Sequence, residues 1–514
     1  MLWPPRDAMI LRLDCAIGCA VLLALAAAGP ARAFGFDDVA AKARALAAKP
    51  YQPPQQTLPD TLGGLSYDRY RDIRFKQERS IWRGTKLDFE IQLLPPGGLF
   101  RTPVRINVVN VAGVHLVHFD PTDFTYGAAK IDPASLKGLW YSGFRIHSPI
   151  NKPNYKDEVL VFQGASYFRA LGRHQIYGLS ARGLTVDTGL VAGEEFPRFV
   201  EFWIERPAVG QHAIAIDALL DSKRVTGAYR FVLYPGPTTH VDVRARVFLR
   251  DYVTKLGIAP LNSMFFYGEN QPNHERNDYR PEVHDSDGLQ IASGTGEWIW
   301  RPLVDPARLL ITSFGMTNPQ GFGLMQRDRE FADYQDLGAR YELRPSAWVQ
   351  PKGNWGSGRV ELVEIPTPDE TNDDVIAYWV PDISLKPGQP YDFAYRIDWE
   401  MDDPTRPPSS WVTQTRLGFG YSPRPPQGVG LVVDFDGPAL DKLPADTPVE
   451  GVVSADSNGE IVAQRVQPNR AEGGWRLFIH IRRLDNSKPV ELRAYLRAGQ
   501  NTVSETWSYI LPPG

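Results

Sequence analysis

Past residue 50 the hydrophobic pattern of the chain has a period of two. In Val241-Asp242-Val243-Arg244-Ala245-Arg246-Val247 apolar and polar residues alternate. Phe393, Tyr395, Ile397 and Trp399 alternate with Ala394, Arg396 and Asp398, and Leu477, Ile479 and Ile481 with Phe478, His480 and Arg482. Strands of this kind bury one face and leave the other to solvent, as antiparallel sheets do. Pro235-Gly236, Asp287-Gly288 and Asn458-Gly459 are turn signals between such runs. Before residue 50 the period changes. Val39, Ala43 and Leu46 recur at helical spacing up to Pro50, and Asp37 and Asp38 supply the negative charge that a helix N-terminus favours. The predicted fold class is all-β, a β-sandwich architecture with one clear helix at its start.

Two segments divide the chain. Asp402-Asp403-Pro404-Thr405-Arg406-Pro407-Pro408-Ser409-Ser410 is polar and proline-rich, with strong strand patterns on both sides. It predicts a linker at 401–410 between a large sandwich at 34–400 and a smaller one at 411–514. The smaller unit has the length and strand spacing of an immunoglobulin-like sandwich, without the cysteine pair of true immunoglobulin domains. At the other end, Arg6 and Arg12 precede an uncharged apolar run from Ala16 to Ala28, followed by Ala31-Arg32-Ala33. That is the pattern of a secretory signal peptide, 1–33, and the run is too short for a membrane span. No Arg-Arg pair marks a twin-arginine signal.

Composition narrows the chemistry. Both cysteines, Cys15 and Cys19, fall in the leader. The rest of the chain therefore has no disulfide, thiolate nucleophile or cysteine-based metal site. A net charge of −4 gives no reason to expect nucleic acid or an anionic membrane as partner. His-Glu-x-x-His, Walker, Gly-x-Ser-x-Gly and Rossmann patterns are absent. The nine histidines are scattered. A zinc site would need a long-range arrangement that the sequence does not display, so no metal and no cofactor is expected.

What remains is acidic. Tyr279 to Gly288 contains Asp285, and Pro368 to Asp374 contains Asp373. Both segments read as loops at strand ends, where catalytic groups usually sit. Two carboxyl groups meeting across a cleft are what glycoside hydrolysis needs, one to protonate the leaving oxygen and one to activate water. The same loops could equally be turns and caps. Trp298, Trp300, Trp348, Trp355, Tyr378 and Trp379 flank these acids. Their flat faces suit sugar rings, and they suit a sandwich core equally well. Arg182, Arg206, Arg280, Arg301 and Arg344 are candidates for binding hydroxyls or orienting carboxylates, or for structural ion pairs.

Longer strings sharpen the reading. Gln163-Gly164-Ala165-Ser166-Tyr167-Phe168-Arg169, Tyr177 to Gly183, Gly193 to Phe199, Gly296 to Leu303, Asn318 to Gly323, Leu343 to Trp348 and Asp369-Glu370-Thr371-Asn372-Asp373 occur in this order. Together they resemble the periplasmic glucan biosynthesis protein G and D family, the G branch more than the D branch. The resemblance implies a galactose-mutarotase-like N-terminal sandwich followed by an immunoglobulin-like domain, in the periplasm. It implies a part in making osmoregulated periplasmic glucans and an inverting endo-β-1,2-glucanase activity. Carried over by motif, Asp373 is the general acid and Asp285 the general base, which reaches its water through a relay. The partners implied are β-1,2-glucan and the inner-membrane glucan synthase; the alternative is a non-catalytic glucan-binding or assembly protein. Asp287 and Asp374 depart from the family pattern, and Asp374 is expected to place an extra negative charge beside Asp373.

Overall fold

The computed structural model describes residues 34–513 apart from 130, 273–276, 402–403, 421–427 and 445, besides Met1. The leader predicted at 1–33 lies outside the described residues. Among these, no helix is long and apolar enough to cross a membrane.

The fold is mostly β, as the period-two pattern predicts. The opening helix spans Phe36–Ala47 and packs Val39 and Ala43 on the outer face of a long sheet. That sheet and a ten-stranded one form the two layers of a large sandwich. The ten-stranded sheet runs from Glu90–Leu94 through Gly143–Lys152, Tyr155–Gln163, Tyr167–Ala170, Ser180–Arg182 and Leu256–Ser263. It continues to Val375–Pro381, Ser357–Glu364 and Leu310–Thr317, with Leu184–Val186 paired to the side. The strand Thr239–Leu249 shows how the pattern acts: Val241, Val243, Ala245 and Val247 are buried, and the polar residues between them face outward.

The second layer does not end where the proline-rich stretch divides the sequence. Its strands Trp298–Pro302 and Thr506–Leu511 pair in parallel. Through this contact the sheet passes from the first part of the chain into Val490–Ala498 and Val449–Ala455. Opposite those C-terminal strands lies a separate four-stranded sheet, Trp411–Leu417, Gly428–Asp436, Trp475–Arg483 and Gly459–Pro468. Leu431, Val433, Leu477 and Ile479 from it, and Leu492, Leu496 and Trp507 from the other, share one core. Ala292, Trp300, Met325 and Trp348, from before the linker, complete that core.

Candidate active site

Asp373 sits on the loop between Ser357–Glu364 and Val375–Pro381. Asp369 shapes this loop: its carboxylate takes the N–H and hydroxyl of Thr371 at 2.9 and 2.5 Å. Thr367 Oγ1 donates to the Asp369 carbonyl at 2.6 Å, and Asp305 accepts the Thr367 N–H. A loop tied to itself in this way presents its next residue at a fixed place. Asp373 keeps 32% of its side chain exposed, with the Arg169 guanidinium 3.4 Å away. It stands at the rim of a cleft of about 980 Å³. The floor and walls of the cleft include Arg145, Gln163, Tyr167 and Arg169 from the ten-stranded sheet, and Tyr67 and Arg71 from the short helix Tyr67–Arg71.

Asp285 lies deeper. It follows the short strand Val283–His284, and its N–H donates to the Met264 carbonyl at 2.8 Å. Only 5% of its side chain is exposed, and Arg344 holds the carboxylate in an ion pair. Burial pushes the pKa of Asp285 up, Arg344 opposes that, and the charge of Asp373 adds to the rise. The two acids are therefore close enough to act on one another, with Arg169 near both. Arg344 is itself fixed: it covers the Tyr341 ring at 4.1 Å and donates to the Ala339 carbonyl. A Cβ on Gly178 would lie 2.8 Å from Arg344 Cβ. Gly178→Ala is accordingly expected to shift Arg344, loosen Asp285 from its partner and lower the stability of the fold. Chemical denaturation of the variant beside the parent checks this.

Arg280 bridges the two acidic segments by ion pairs to Asp278, Asp336 and, at 2.7 Å, Glu370. It locks the Asp373 loop to the Asp285 segment.

The other expected binding residues stand elsewhere. Trp300 and Trp348 are buried in the C-terminal core, and Trp298 stacks on Trp348 with ring centroids 5.8 Å apart. Trp355 packs against Trp379, Phe393 and Tyr395. Tyr378 is buried and donates to Glu361 at 2.7 Å. Arg301 is fully buried in a two-pronged pair with Glu491, which ties the strands on either side of the linker. The expectation that these rings and Arg301 present faces to a sugar is thus replaced by packing roles. Sequence proximity to the acids misleads because alternate residues of a strand point into the core. Arg182 is likewise buried, donating to Asn262 and Glu194. The cleft residues Arg145, Gln163, Tyr167 and Arg169 were not singled out as chemistry. The string Gln163 to Arg169 was nonetheless among those carrying the resemblance.

Asp374 also departs from expectation. Its carboxyl turns inward, accepts the Phe265 N–H at 3.1 Å, and burial pushes its pKa up to about 8. At neutral pH it holds a proton and puts no charge beside Asp373. The folded state grips that proton more tightly than the unfolded chain, whose carboxyl has the ordinary value near 3.8. The stabilisation is complete below about pH 4 and is lost as pH rises to about 8. Asp374→Asn, which cannot ionise, should therefore gain stability relative to the parent as pH rises across that window. Denaturation midpoints at pH 4, 6 and 8 test it; a difference that does not change with pH counts against it.

Comparison with known proteins adds the context. Residues 34–511 match the family described as periplasmic glucan biosynthesis protein, MdoG. A glucans biosynthesis protein G of Ralstonia nicotianae is 59% identical over 96% of this chain and 99% of its own. One of Pseudomonas aeruginosa is 52% identical over 94% of each. A solved alpha-galactosidase from Geobacillus stearothermophilus is similar over 50% of this chain and 39% of its own, at 10% identity and a TM-score of 0.23. That likeness is too slight to carry an argument.

Proposed function

Because the chain belongs to the MdoG family of periplasmic glucan biosynthesis proteins, we propose that it takes part in glucan biosynthesis in the periplasm by cutting β-1,2-glucan internally with inversion. The observation that carries this reading is the placement of Asp373 at the rim of a long polar cleft, within electrostatic reach of the buried, arginine-held Asp285. In an inverting mechanism one carboxylic acid protonates the departing glycosidic oxygen while a carboxylate on the opposite face activates water. Asp373, partly exposed and beside bound chain, takes the acid role. Asp285, held by Arg344 and shielded from solvent, takes the base role through a relay. Arg344 holds Asp285 in place before substrate arrives, so little reorganisation of that carboxylate is needed at the moment of reaction.

The burial of Asp285 favours one competing reading, a binding or assembly protein that guides nascent glucan without cutting it, in contact with the membrane synthase. Incubating the purified chain with linear β-1,2-glucan and analysing the products decides between them. Shorter glucans support hydrolysis; binding without products supports the assembly role.

A further inference from the structure

Behind the Asp285 segment lies a second group of ionisable side chains that the proposed reaction does not use. Glu282, His284 and Asp328 are all buried, and one ligand-type atom from each lies within 4.8 Å of the other two. We propose that these three residues, with Asp287 beside them, hold a divalent transition-metal ion of the zinc or manganese type.

The orientation of His284 is the first support. Gln326 Nε2 donates to the His284 carbonyl at 2.9 Å, so the amide presents Oε1 to His284 Nδ1, also at 2.9 Å. Nδ1 is thereby an N–H of the ring, and Nε2 faces the Glu282 carboxylate, with which it pairs when protonated. Outer partners of this kind fix the tautomer and the ring plane of metal-binding histidines. Phe265, stacked on the ring at 5.5 Å, and Tyr334, edge-on at 5.2 Å, hold it further. His284 Nε2 and Glu282 Oε2 are 2.8 Å apart. Two ligands each about 2.0–2.1 Å from a tetrahedral zinc ion stand about 3.3 Å from one another, so the ion would part this pair by about half an ångström.

Asp287 gives independent support. It is 8% exposed, and its Oδ1 has no hydrogen-bond partner among the described residues. Its Oδ2 accepts the N–H groups of Arg327 and Asp328, which seats it at the start of the Asp328 peptide. A buried carboxylate oxygen left without a donor needs either a proton or a cation. Two nearby arginines are engaged elsewhere, Arg327 with Glu505 and Gln290 and Arg329 with the carbonyls of Glu342 and Arg344, while the buried Arg406 lies within electrostatic reach of Asp287. An imidazole nitrogen in the set suits zinc, and the carboxylates beside it suit manganese.

The ion would join parts distant in sequence. Asp328 Oδ1 accepts from Gln414 Nε2 at 2.8 Å, and Glu269, a further nearby acid, accepts the Thr415 N–H at 3.0 Å. Both donors lie on Trp411–Leu417, the first strand of the four-stranded sheet. The site therefore ties the Asp285 segment to the C-terminal half, and its role is structural.

The test uses the full chain purified without chelator. Elemental analysis should find about one zinc or manganese ion per chain, and EDTA should lower the melting temperature, with Zn²⁺ restoring it. Titration calorimetry of the stripped protein with Zn²⁺ should show one site, with Mn²⁺ weaker and Ca²⁺ silent. His284→Gln and Asp328→Asn should each weaken Zn²⁺ binding by at least about 100-fold, since losing even an outer partner costs about 10- to 100-fold. Equal circular dichroism and melting temperature of variant and parent in EDTA show that the fold is kept. Absence of bound metal together with no thermal response of the parent to any of the three ions overturns the proposal. Undiminished Zn²⁺ binding in both variants overturns it too.

Discussion

Asp373→Asn should abolish cleavage of linear β-1,2-glucan while leaving the fold intact. Asparagine has nearly the shape of aspartate but cannot give a proton to the departing glucosyl oxygen. General acid catalysis contributes roughly 10²- to 10⁴-fold in rate, so the variant should fall by at least that range. The side chain is partly exposed and its ion pair with Arg169 is long and solvent-washed, so its loss costs little stability. Asp285→Asn should also lose activity, and because its carboxylate is buried against Arg344 it should lose stability as well. The stereochemistry gives a sharper check. Inversion of a β-linkage must release the α-anomer first, and NMR or polarimetry reads this before mutarotation. A β-anomer as first product, or wild-type rates for Asp373→Asn, would show the assigned mechanism to be wrong.

Arg327→Met should be the most damaging single change to stability. Arg327 is buried against Glu505, which is buried too, with nitrogen–oxygen distances of 2.7 and 3.1 Å. The same guanidinium donates to the Val412 carbonyl and to Gln290, and lies 3.5 Å over the Trp300 ring. Removing one partner of a buried pair strands the other charge out of water, at about 3–5 kcal/mol. Glu505 would keep only the Val412 N–H described for its carboxylate. The contrast is Arg246, which pairs with Asp392 on an open strand face, and whose replacement by alanine should cost about 0–1 kcal/mol. Chemical denaturation of the two variants compares them directly. Equal midpoints for Arg327→Met and the parent would mean that this junction does not hold the halves together.

The sequence was most legible where one local rule acted alone. The helix at Phe36–Ala47 follows from its own spacing, and the strands at 239–249, 390–400 and 475–483 follow from alternation. The Asp373 loop is a loop because short polar residues and turn formers fill it, whereas the Asp285 segment is buried and carries the short strand Val283–His284. The aromatic residues near those loops were misleading. Trp300 and Trp348 stand near the candidate acids in sequence and face the opposite side of their sheet, into the C-terminal core. Alternation fixes that two faces exist and does not fix which face meets which partner. Asp374 gives the same lesson for charge: adjacent to Asp373 in sequence, it points into the interior and holds a proton there.

By itself, then, the sequence determined what depends on neighbours along the chain: the mostly β class, the opening helix, the strand faces, and the strings that mark the family. Only the tertiary structure decided what depends on strands brought together from far apart. It put Arg344 on Asp285, Arg169 beside Asp373, and Arg301 on Glu491 across the linker. It carried the large sheet through Trp298–Pro302 and Thr506–Leu511 into the C-terminal half, where the proline-rich stretch suggested a clean break. It also gathered His284 with Glu282, Asp328 and Asp287, although histidines scattered in sequence gave no sign of it. The physical reason is common to all of these. Hydrogen-bonded register between non-consecutive strands, and the desolvation of charges that meet there, are properties of the assembled sheets and of no segment alone.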